Sequence, residues 1–299
     1  MKGKIVLVVS DAKQEKKVGI MIVCFTRFVM FGTLAALIGG IPIGAAQTAG
    51  PAKGWLISHG GGTVSKEVQE RFVALAGGPD ANFVLIPTAM SDEEIAVGGF
   101  FRWQGTRWAK SWGINHVTML HATDKATANS DYFIDALRKA SGVWILGGRQ
   151  WRLADVYLDT AVEREIKELL ARGGVVGGSS AGATIQGSFL VRGDPQGNLV
   201  MMSPGHERGF GLLSNSAIDQ HINTRGREYD LLEVIKKHPE LLGFGIDEGA
   251  AIVVHGDSLQ VVVGRVAIYD SNARDGVFHY YLWPGATFKL TCGHLIGAC

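Results

Sequence analysis

Residues 174–183, with the sequence GVVGGSSAGA, give the clearest indication of both the fold class and the position of a functional site. An apolar run ends there in small residues, and a helical pattern is predicted to follow from Ala183 to Leu190. Gly178-x-Ser180-x-Gly182 fits a nucleophile elbow, a strained strand-to-helix turn that tolerates only small neighbours. The pattern predicts Ser180 as a nucleophile, whereas Ser179 lacks the flanking glycine spacing. The alternative is that this turn only lets a helix pack closely on a sheet.

Short apolar runs alternate with helical patterns on both sides of this segment. Such alternation is typical of βα units and a mostly parallel sheet. The predicted strands are 55–58, 83–87, 116–120, 142–146 and 174–178, then 243–247, 250–255 and 259–263. Apolar residues at helical spacing predict helices around 68–75, 162–169 and 229–237. His255-Gly256-Asp257 is typical of a hairpin turn.

The bulk composition limits the classes of function. The chain has 299 residues, of which 46% are hydrophobic, and 29 basic against 28 acidic residues give a net charge of +1. A near-neutral chain does not favour a broad nucleic-acid surface, so no nucleic-acid partner is predicted. No linker or repeat follows residue 53, and we predict a single α/β domain over residues 51–299. The oligomeric state stays open, with a homodimer as one alternative.

The first 50 residues are interpreted as a leader. Residues 28–52 carry no charge, follow Arg27, and turn small and polar after Pro42. A basic flank, an apolar stretch and small residues near 44–47 are typical of a secretory signal, which predicts a secreted or periplasmic protein. A retained membrane anchor and a buried element of the fold are the alternatives. Translation starting at Met21 or Met30 would explain the long basic stretch before the apolar run.

The three cysteines agree with export. Cys24 would leave with a cleaved leader, and Cys292 and Cys299 would remain as a local disulfide or as two free thiols. No Cys or His spacing indicates a zinc site. No metal or other cofactor is predicted.

A nucleophilic serine needs a base and an orienting carboxylate. His221 ends an apolar run and precedes a polar loop, and residues 245–249 place Asp247 and Glu248 at a strand end. A rival order of serine, acid and histidine, as in α/β-hydrolases, would use Ser180, Asp247 and His294. The segment 59–62 (HGGG) resembles the oxyanion motif of such esterases. The residues alone leave both triads open.

Several separated motifs together resemble the serine peptidase family that contains cyanophycinase and dipeptidase E. The resemblance runs from about Trp55 to Gly264, and its motifs are HGGG at 59–62, VLIPTA at 84–89, GGRQ at 147–150, the elbow, DQH at 219–221 with RGR at 225–227, and GFGIDE at 243–248. It implies a three-layer α/β fold, with a mostly parallel sheet flanked by helices, like that of class I glutamine amidotransferases.

The resemblance also implies roles for individual residues. Ser180 would be the nucleophile, His221 the general base and Glu248 the orienting acid, with Asp194 as a minor alternative acid. The oxyanion hole would be formed by the backbone N–H groups of Gly148 and Ala181.

Substrate recognition is implied less completely. Gln150 matches a position that recognises the aspartyl part of a β-linked Asp-Arg dipeptide, and Arg225 and Arg227 match basic residues near the substrate acid. Two positions depart from cyanophycinases, because Arg149 replaces an aspartate and Asp230 replaces a basic residue. The sequence therefore predicts a serine exopeptidase for cyanophycin or another Asp-containing peptide. An aspartyl dipeptidase and a catalytically silent binding protein on the same fold are the alternatives.

Overall fold

The computed structural model describes residues 49–97, 105–271 and 279–291, and the backbone of the short strand 294–295. The predicted leader, except for its last residues, and the Cys292 and Cys299 pair therefore lie outside the described residues. Within them, no helix is both long and apolar enough to cross a membrane.

The larger of two sheets has nine strands. Its parallel part is β3, β2, β4, β5 and β1 in spatial order, and antiparallel strands continue it through β9, β10, β13 and β14. The bounds are β1 Trp55–His59, β2 Asn82–Ile86, β3 His116–Met119, β4 Gly142–Ile145, β5 Val175–Ser179, β9 Ala251–His255, β10 Ser258–Val263, β13 Thr287–Lys289 and β14 His294–Leu295. The carboxyl ends of β1, β4 and β5 meet at one edge, where α/β sheets gather functional groups.

The second sheet has five strands in the order β12-β11-β8-β7-β6. Its strands are β6 Gly187–Phe189, β7 Leu213–Gln220, β8 Leu242–Ile246, β11 Val266–Asp270 and β12 His279–Leu282. Strands β6, β7 and β8 are parallel, and β11 and β12 are antiparallel. The sequence did not separate these strands from the first sheet, because an apolar run carries no information about which sheet it joins.

Helices cover the sheets and bury their apolar faces. They are α1 Lys66–Leu75, α2 Asp92–Val97, α3 Gly105–Ser111, α4 Lys125–Ala128, α5 Asp131–Lys139, α6 Gln150–Tyr157, α7 Ala161–Ala171, α8 Ala181–Thr184 and α9 Asp230–Lys237. Val68 and Phe72 of α1 pack into a core with Trp112 and Trp144, while Val162 and Ile166 of α7 join the largest core. The predicted α/β class is confirmed.

One local prediction was wrong. The helix expected from Ala183 to Leu190 is a four-residue helix, α8, that ends at Thr184. The chain then enters β6, which pairs with β7 in the second sheet. Gly187 suits this change of direction, because a Cβ there would approach the Ser216 carbonyl oxygen to 3.0 Å. The elbow therefore connects the two sheets.

Candidate active site

Ser180 lies in the tight turn between β5 and α8, with φ 55° and ψ −116°. A non-glycine residue in this region carries strain of about 1–3 kcal/mol, which persists only where the surroundings enforce it. The surroundings here are backbones at close range. A Cβ on Gly178 would lie 2.2 Å from the Gly182 carbonyl oxygen, and one on Gly182 would lie 2.1 Å from the Ile145 oxygen. The glycine spacing of the motif is thus a steric requirement of the turn.

His221 and Glu248 reach Ser180 from the second sheet. His221 follows β7 directly and also has a positive φ, 55°. Its Nε2 lies 2.8 Å from the Ser180 Oγ, and its Nδ1 lies 2.6 Å from the Glu248 Oε1. Glu248 is the second residue after β8, the strand parallel to β7. The three side chains form one line of hydrogen bonds, which is the arrangement that lets a histidine accept the proton of a serine hydroxyl.

The other predicted partners lie elsewhere. Asp247 accepts hydrogen bonds at Oδ1 from the backbone N–H groups of Asn223 (3.1 Å) and Thr224 (2.9 Å), so it holds the loop that follows His221. Asp194 accepts from the Gln196 N–H in a surface turn. The backbone of His294 is in β14, the outermost strand of the large sheet, four strands away from β1. The rival triad is therefore not assembled.

The surroundings of His221 lower its pKa below the usual value. Burial is the largest cause, because it disfavours the imidazolium, and the positive charges of Arg225 and Arg227 act in the same direction. The hydrogen bond to Glu248 raises the pKa and partly opposes these effects. A neutral imidazole is the form that accepts a proton, so the site favours a base near neutral pH.

The two residues predicted to supply an oxyanion hole are Gly148, which lines the same cavity as Ser180, and Ala181, which follows Ser180 in the chain. Gly147 contacts the serine so closely that an added Cβ would lie 3.1 Å from the Ser180 Cβ. Gly148 follows with φ 143°, and its Cα approaches the backbone of Ala89. Ala181 begins α8 directly after Ser180. Since α8 has only four residues, individual N–H groups and not a helix dipole would provide the stabilisation.

A cavity of about 610 Å³ opens next to Ser180. One wall is aromatic, formed by Trp108, Trp112 and Trp144, and the Trp108 and Trp112 rings lie 4.5 Å apart. Arg225 lines the cavity near His221. The aromatic wall was not predicted from the sequence, because Trp108 lies on α3, Trp112 directly after it and Trp144 on β4, and no spacing connects them.

The three predicted substrate residues differ in exposure. Arg225 is exposed and faces the cavity. Arg227 is 8% exposed, and its Nη1 has no hydrogen-bond partner among the described residues. Gln150 is buried and donates its Nε2 hydrogen to the Val191 carbonyl oxygen at 2.9 Å. The structure brings only Arg225 to the cavity wall.

A buried ionic network under the second sheet was also missed. Arg192 is 2% exposed and donates from Nε and Nη2 to both carboxylate oxygens of Asp219, at 2.9 Å each. It also donates to Asp230 at 2.6 Å. Asp219 lies two residues before His221 and is fully buried. Asp230, the residue that departs from the cyanophycinase pattern, thus forms an ion pair with the buried Arg192, although its own side chain is 41% exposed.

Among the described residues, no group of three or more His, Cys, Asp or Glu side chains is arranged to hold a metal ion. Serine, histidine and glutamate can together perform acyl transfer by nucleophilic attack of the serine, with proton transfer through the histidine.

Comparison with known proteins identifies the family. The sequence profile of peptidase family S51 matches residues 55–262. A cyanophycinase from Geminocystis herdmanii is 30% identical over 72% of this chain and 78% of its own length. A cyanophycinase from Trichormus variabilis is 31% identical over 68% of this chain and 67% of its own.

Solved structures agree on the fold. A peptidase from an acI-B1 actinobacterium superposes with a TM-score of 0.66 at 23% identity, covering 80% of this chain and 98% of that one. A putative peptidase E from Listeria monocytogenes gives a TM-score of 0.51 at 20% identity, covering 70% and 98%. The fold, the profile match and the cyanophycinase relatives lead to one conclusion: the chain belongs to peptidase family S51 and is a serine-type peptidase.

Proposed function

We propose that this peptidase releases Asp-containing dipeptides from cyanophycin or a related β-aspartyl-arginine polymer, with Ser180, His221 and Glu248 as its triad. The observation that carries the proposal is the line of hydrogen bonds from the Ser180 Oγ through His221 to Glu248, beside an open cavity. The similarity to two cyanophycinases over about two thirds of each chain supports this substrate class.

The proposed reaction is acyl transfer to the serine. His221 Nε2 takes the proton of the Ser180 hydroxyl as Oγ attacks the scissile carbonyl carbon. Glu248 stabilises the imidazolium that forms, and His221 then gives the proton to the leaving amine nitrogen. In the second half, His221 removes a proton from water, which attacks the acyl carbon, and the proton returns to Ser180.

The negative charge on the carbonyl oxygen would be stabilised by the N–H groups of Gly148 and Ala181. Each such donor typically contributes about 3–4 kcal/mol to lowering the barrier, because it acts where charge develops. The close contact of Gly147 with Ser180 supports this role, since the next N–H then lies near the site of attack.

An acidic group of the substrate would bind to Arg225. The side chain lines the cavity that contains Ser180 and His221, and a guanidinium fits a carboxylate through two parallel hydrogen bonds. Arg227, with a buried nitrogen that has no hydrogen-bond partner in the described part of the chain, would contribute a second guanidinium. Gln150 would join them only if it released the Val191 carbonyl.

Turnover measurements separate the candidate functions. The protein is incubated with insoluble cyanophycin and, separately, with α-aspartyl dipeptides, and the released dipeptides or amino acids are quantified. We expect β-Asp-Arg release at least tenfold faster than cleavage of the α-linked peptides. A reversed preference would favour an aspartyl dipeptidase. This is the main alternative, because Arg149 stands where cyanophycinases have an aspartate. No turnover of either, with tight binding of the polymer, would favour a binding protein.

We also propose that the protein is exported, because residues 28–52 have the order of a secretory signal. Amino-terminal sequencing of the protein recovered from its native host tests this. A mature terminus near residues 45–48 is expected, and a terminus at Met1, Met21 or Met30 would reject cleavage.

A further inference from the structure

Segment 59–61 joins the three parts of the proposed triad through its backbone. Three consecutive carbonyl oxygens each accept one N–H: that of His59 from Ser180 at 2.9 Å, that of Gly60 from His221 at 3.2 Å, and that of Gly61 from Gly249, the neighbour of Glu248, at 2.9 Å. The nucleophile comes from the large sheet and the other two residues from the small one. The relative positions of all three therefore depend on the conformation of this single segment.

The segment must also be free of side chains after His59. A Cβ on Gly61 would lie 2.1 Å from the His221 Cε1, and one on Gly62 would lie 3.0 Å from the Glu248 Oε2. Both glycines have positive φ values, 127° and 70°. Glycine adopts such φ values freely, but the same freedom lets it adopt many others. The glycines therefore do not fix the conformation of the segment, and another group must do so.

The His59 side chain is placed to fix it. The ring is 0% exposed, and its Nδ1 receives the Gly61 N–H at 3.3 Å and lies 3.0 Å from the Ser179 Oγ. Ser179 precedes the nucleophile and is paired with His59 in the sheet. One ring nitrogen thus links the glycine segment to the strand that carries Ser180.

The Gly61 contact fixes the tautomer of His59, whereas the Ser179 contact forms with either tautomer. Nδ1 accepts from the Gly61 N–H only when it carries no proton itself, and the Ser179 hydroxyl then donates to it as well. Burial, with a smaller effect of the neighbouring His221, lowers the pKa of His59 to about 4. The ring consequently stays neutral near neutral pH. The Gly61 N–H contact selects the neutral tautomer with Nδ1 as acceptor, and the proton then lies on Nε2, which has no hydrogen-bond partner among the described residues.

We propose that His59 is a positioning residue that holds segment 60–62, and through it Ser180, His221 and Glu248, in reactive alignment by accepting hydrogen bonds at Nδ1. This inference rests on the proposed triad. It assigns no chemical step to His59, which touches neither the nucleophile Oγ nor the cavity wall. A misplacement of about 1 Å at a reacting group is enough to lower a rate about a hundredfold.

The test compares three variants by their second-order rate of inactivation with a fluorophosphonate and by kcat and KM. His59→Leu removes the acceptor and should lower the inactivation rate and kcat about a hundredfold, with KM changed less than threefold. His59→Asn places a carbonyl oxygen where Nδ1 was and should recover most of the rate. His255→Leu is the matched control, because His255 lies on β9, stacks on Trp55 and bonds the Gly54 carbonyl at the opposite end of β1. It should leave both rates unchanged.

A crystal structure of His59→Leu separates failure of this inference from failure of the proposed function. We expect the distance between Ser180 Oγ and His221 Nε2 to exceed 3.5 Å in that variant, whether or not the substrate is known. A distance that stays near 2.8 Å, or a His59→Leu protein that is inactivated at the native rate, would overturn the inference. Equal losses in His59→Leu and His59→Asn would reduce His59 to a packing residue. Activity that survives Ser180→Ala would instead reject the triad.

Discussion

The two halves of the proposed active site are held in place by different means. Ser180, on the large sheet, is fixed by backbones that touch at Gly178 and Gly182, where no side chain fits. His221 and Glu248 follow strands of the small sheet, and the strand before His221 carries a buried ion pair between Asp219 and Arg192. The proposed nucleophile is thus held at its elbow by close steric contact, whereas the strand that leads to the proposed base also contains a buried pair of charges. Substitutions in the two halves should therefore fail in different ways.

The largest effect is expected in the large-sheet half. Ser180→Ala removes the attacking oxygen and should lower kcat by roughly a millionfold, with the melting temperature within a few degrees of the native value. Steady-state turnover and thermal melting measure the two quantities. If the variant kept a tenth of the native rate, another residue would be the nucleophile.

In the small-sheet half, Glu248→Gln should lower kcat about ten-thousandfold, because the amide does not stabilise the imidazolium formed during attack. Asp194→Asn is the matched control and should stay within threefold, since the Asp194 side chain lies in a surface turn, where it accepts from the Gln196 N–H. Equal small effects of both substitutions on kcat would remove Glu248 from the triad.

Removing the buried cation of the small sheet should lower the free energy of unfolding. Arg192→Met leaves the carboxylates of Asp219 and Asp230 without their cation, and such a loss typically costs about 3–5 kcal/mol of the free energy of unfolding. Arg208→Met breaks an exposed pair with Asp159, in which the two side chains are 57% and 64% exposed, and should leave the free energy of unfolding nearly unchanged. Urea titration of both variants gives the difference. Equal costs would show that the buried network does not support the small sheet.

His59 makes stability depend on pH. The pKa of His59 is about 4 in the folded protein and 6.5 in the unfolded chain. Between these values, the unfolded chain binds a proton at His59 and the folded protein does not. This contribution to stability is complete above pH 6.5 and is lost as the pH falls toward 4, at about 1.4 kcal/mol per pH unit. The non-titrating variant His59→Asn should lose about 3 kcal/mol less than the native protein between these limits. Parallel pH profiles for the two proteins would contradict a neutral His59.

The smallest effect concerns the cavity wall. Arg225→Ala should raise KM for an acidic substrate about tenfold to a hundredfold and spare a neutral one, because one charge-assisted hydrogen bond is worth about 1.5–3 kcal/mol. The substitution also removes a positive charge that lowers the His221 pKa, so the acid limb of the kcat profile should move to higher pH. An equal KM change on both substrates, with no shift of that limb, would exclude Arg225 from the site.

The sequence predicted the elements whose signals are local. The elbow could be recognised because the close backbone contacts there leave room only for glycine at 178 and 182. Most predicted strands begin and end within a residue or two of their observed bounds. The length of α8 was not readable, because its end depends on the pairing of β6 with β7. Spacing alone also did not distinguish Glu248 from Asp247, because the two are neighbours in the chain and their partners come from other segments.

Contacts between segments that are distant in the chain could not be predicted from the sequence. Arg192, Asp219 and Asp230 form a network through side chains far apart in the chain, and an isolated arginine after an apolar run predicts no partner. His59 was noticed only as part of the HGGG motif at 59–62, which resembles both the esterase motif and the early glycine run of the family, and no role was assigned to its side chain. Its contacts with Ser179 and Gly61 depend on the register between β1 and β5, which the sequence does not display.

Covalent labelling with a fluorophosphonate, located by mass spectrometry, is the most direct test of a triad assembled across the two sheets. We expect a single adduct on Ser180 of the native protein, and its rate of formation should fall at least a thousandfold in His221→Ala while the variant keeps its fold. An adduct on Ser179, or labelling of Ser180 at the same rate without the imidazole of His221, would contradict that triad.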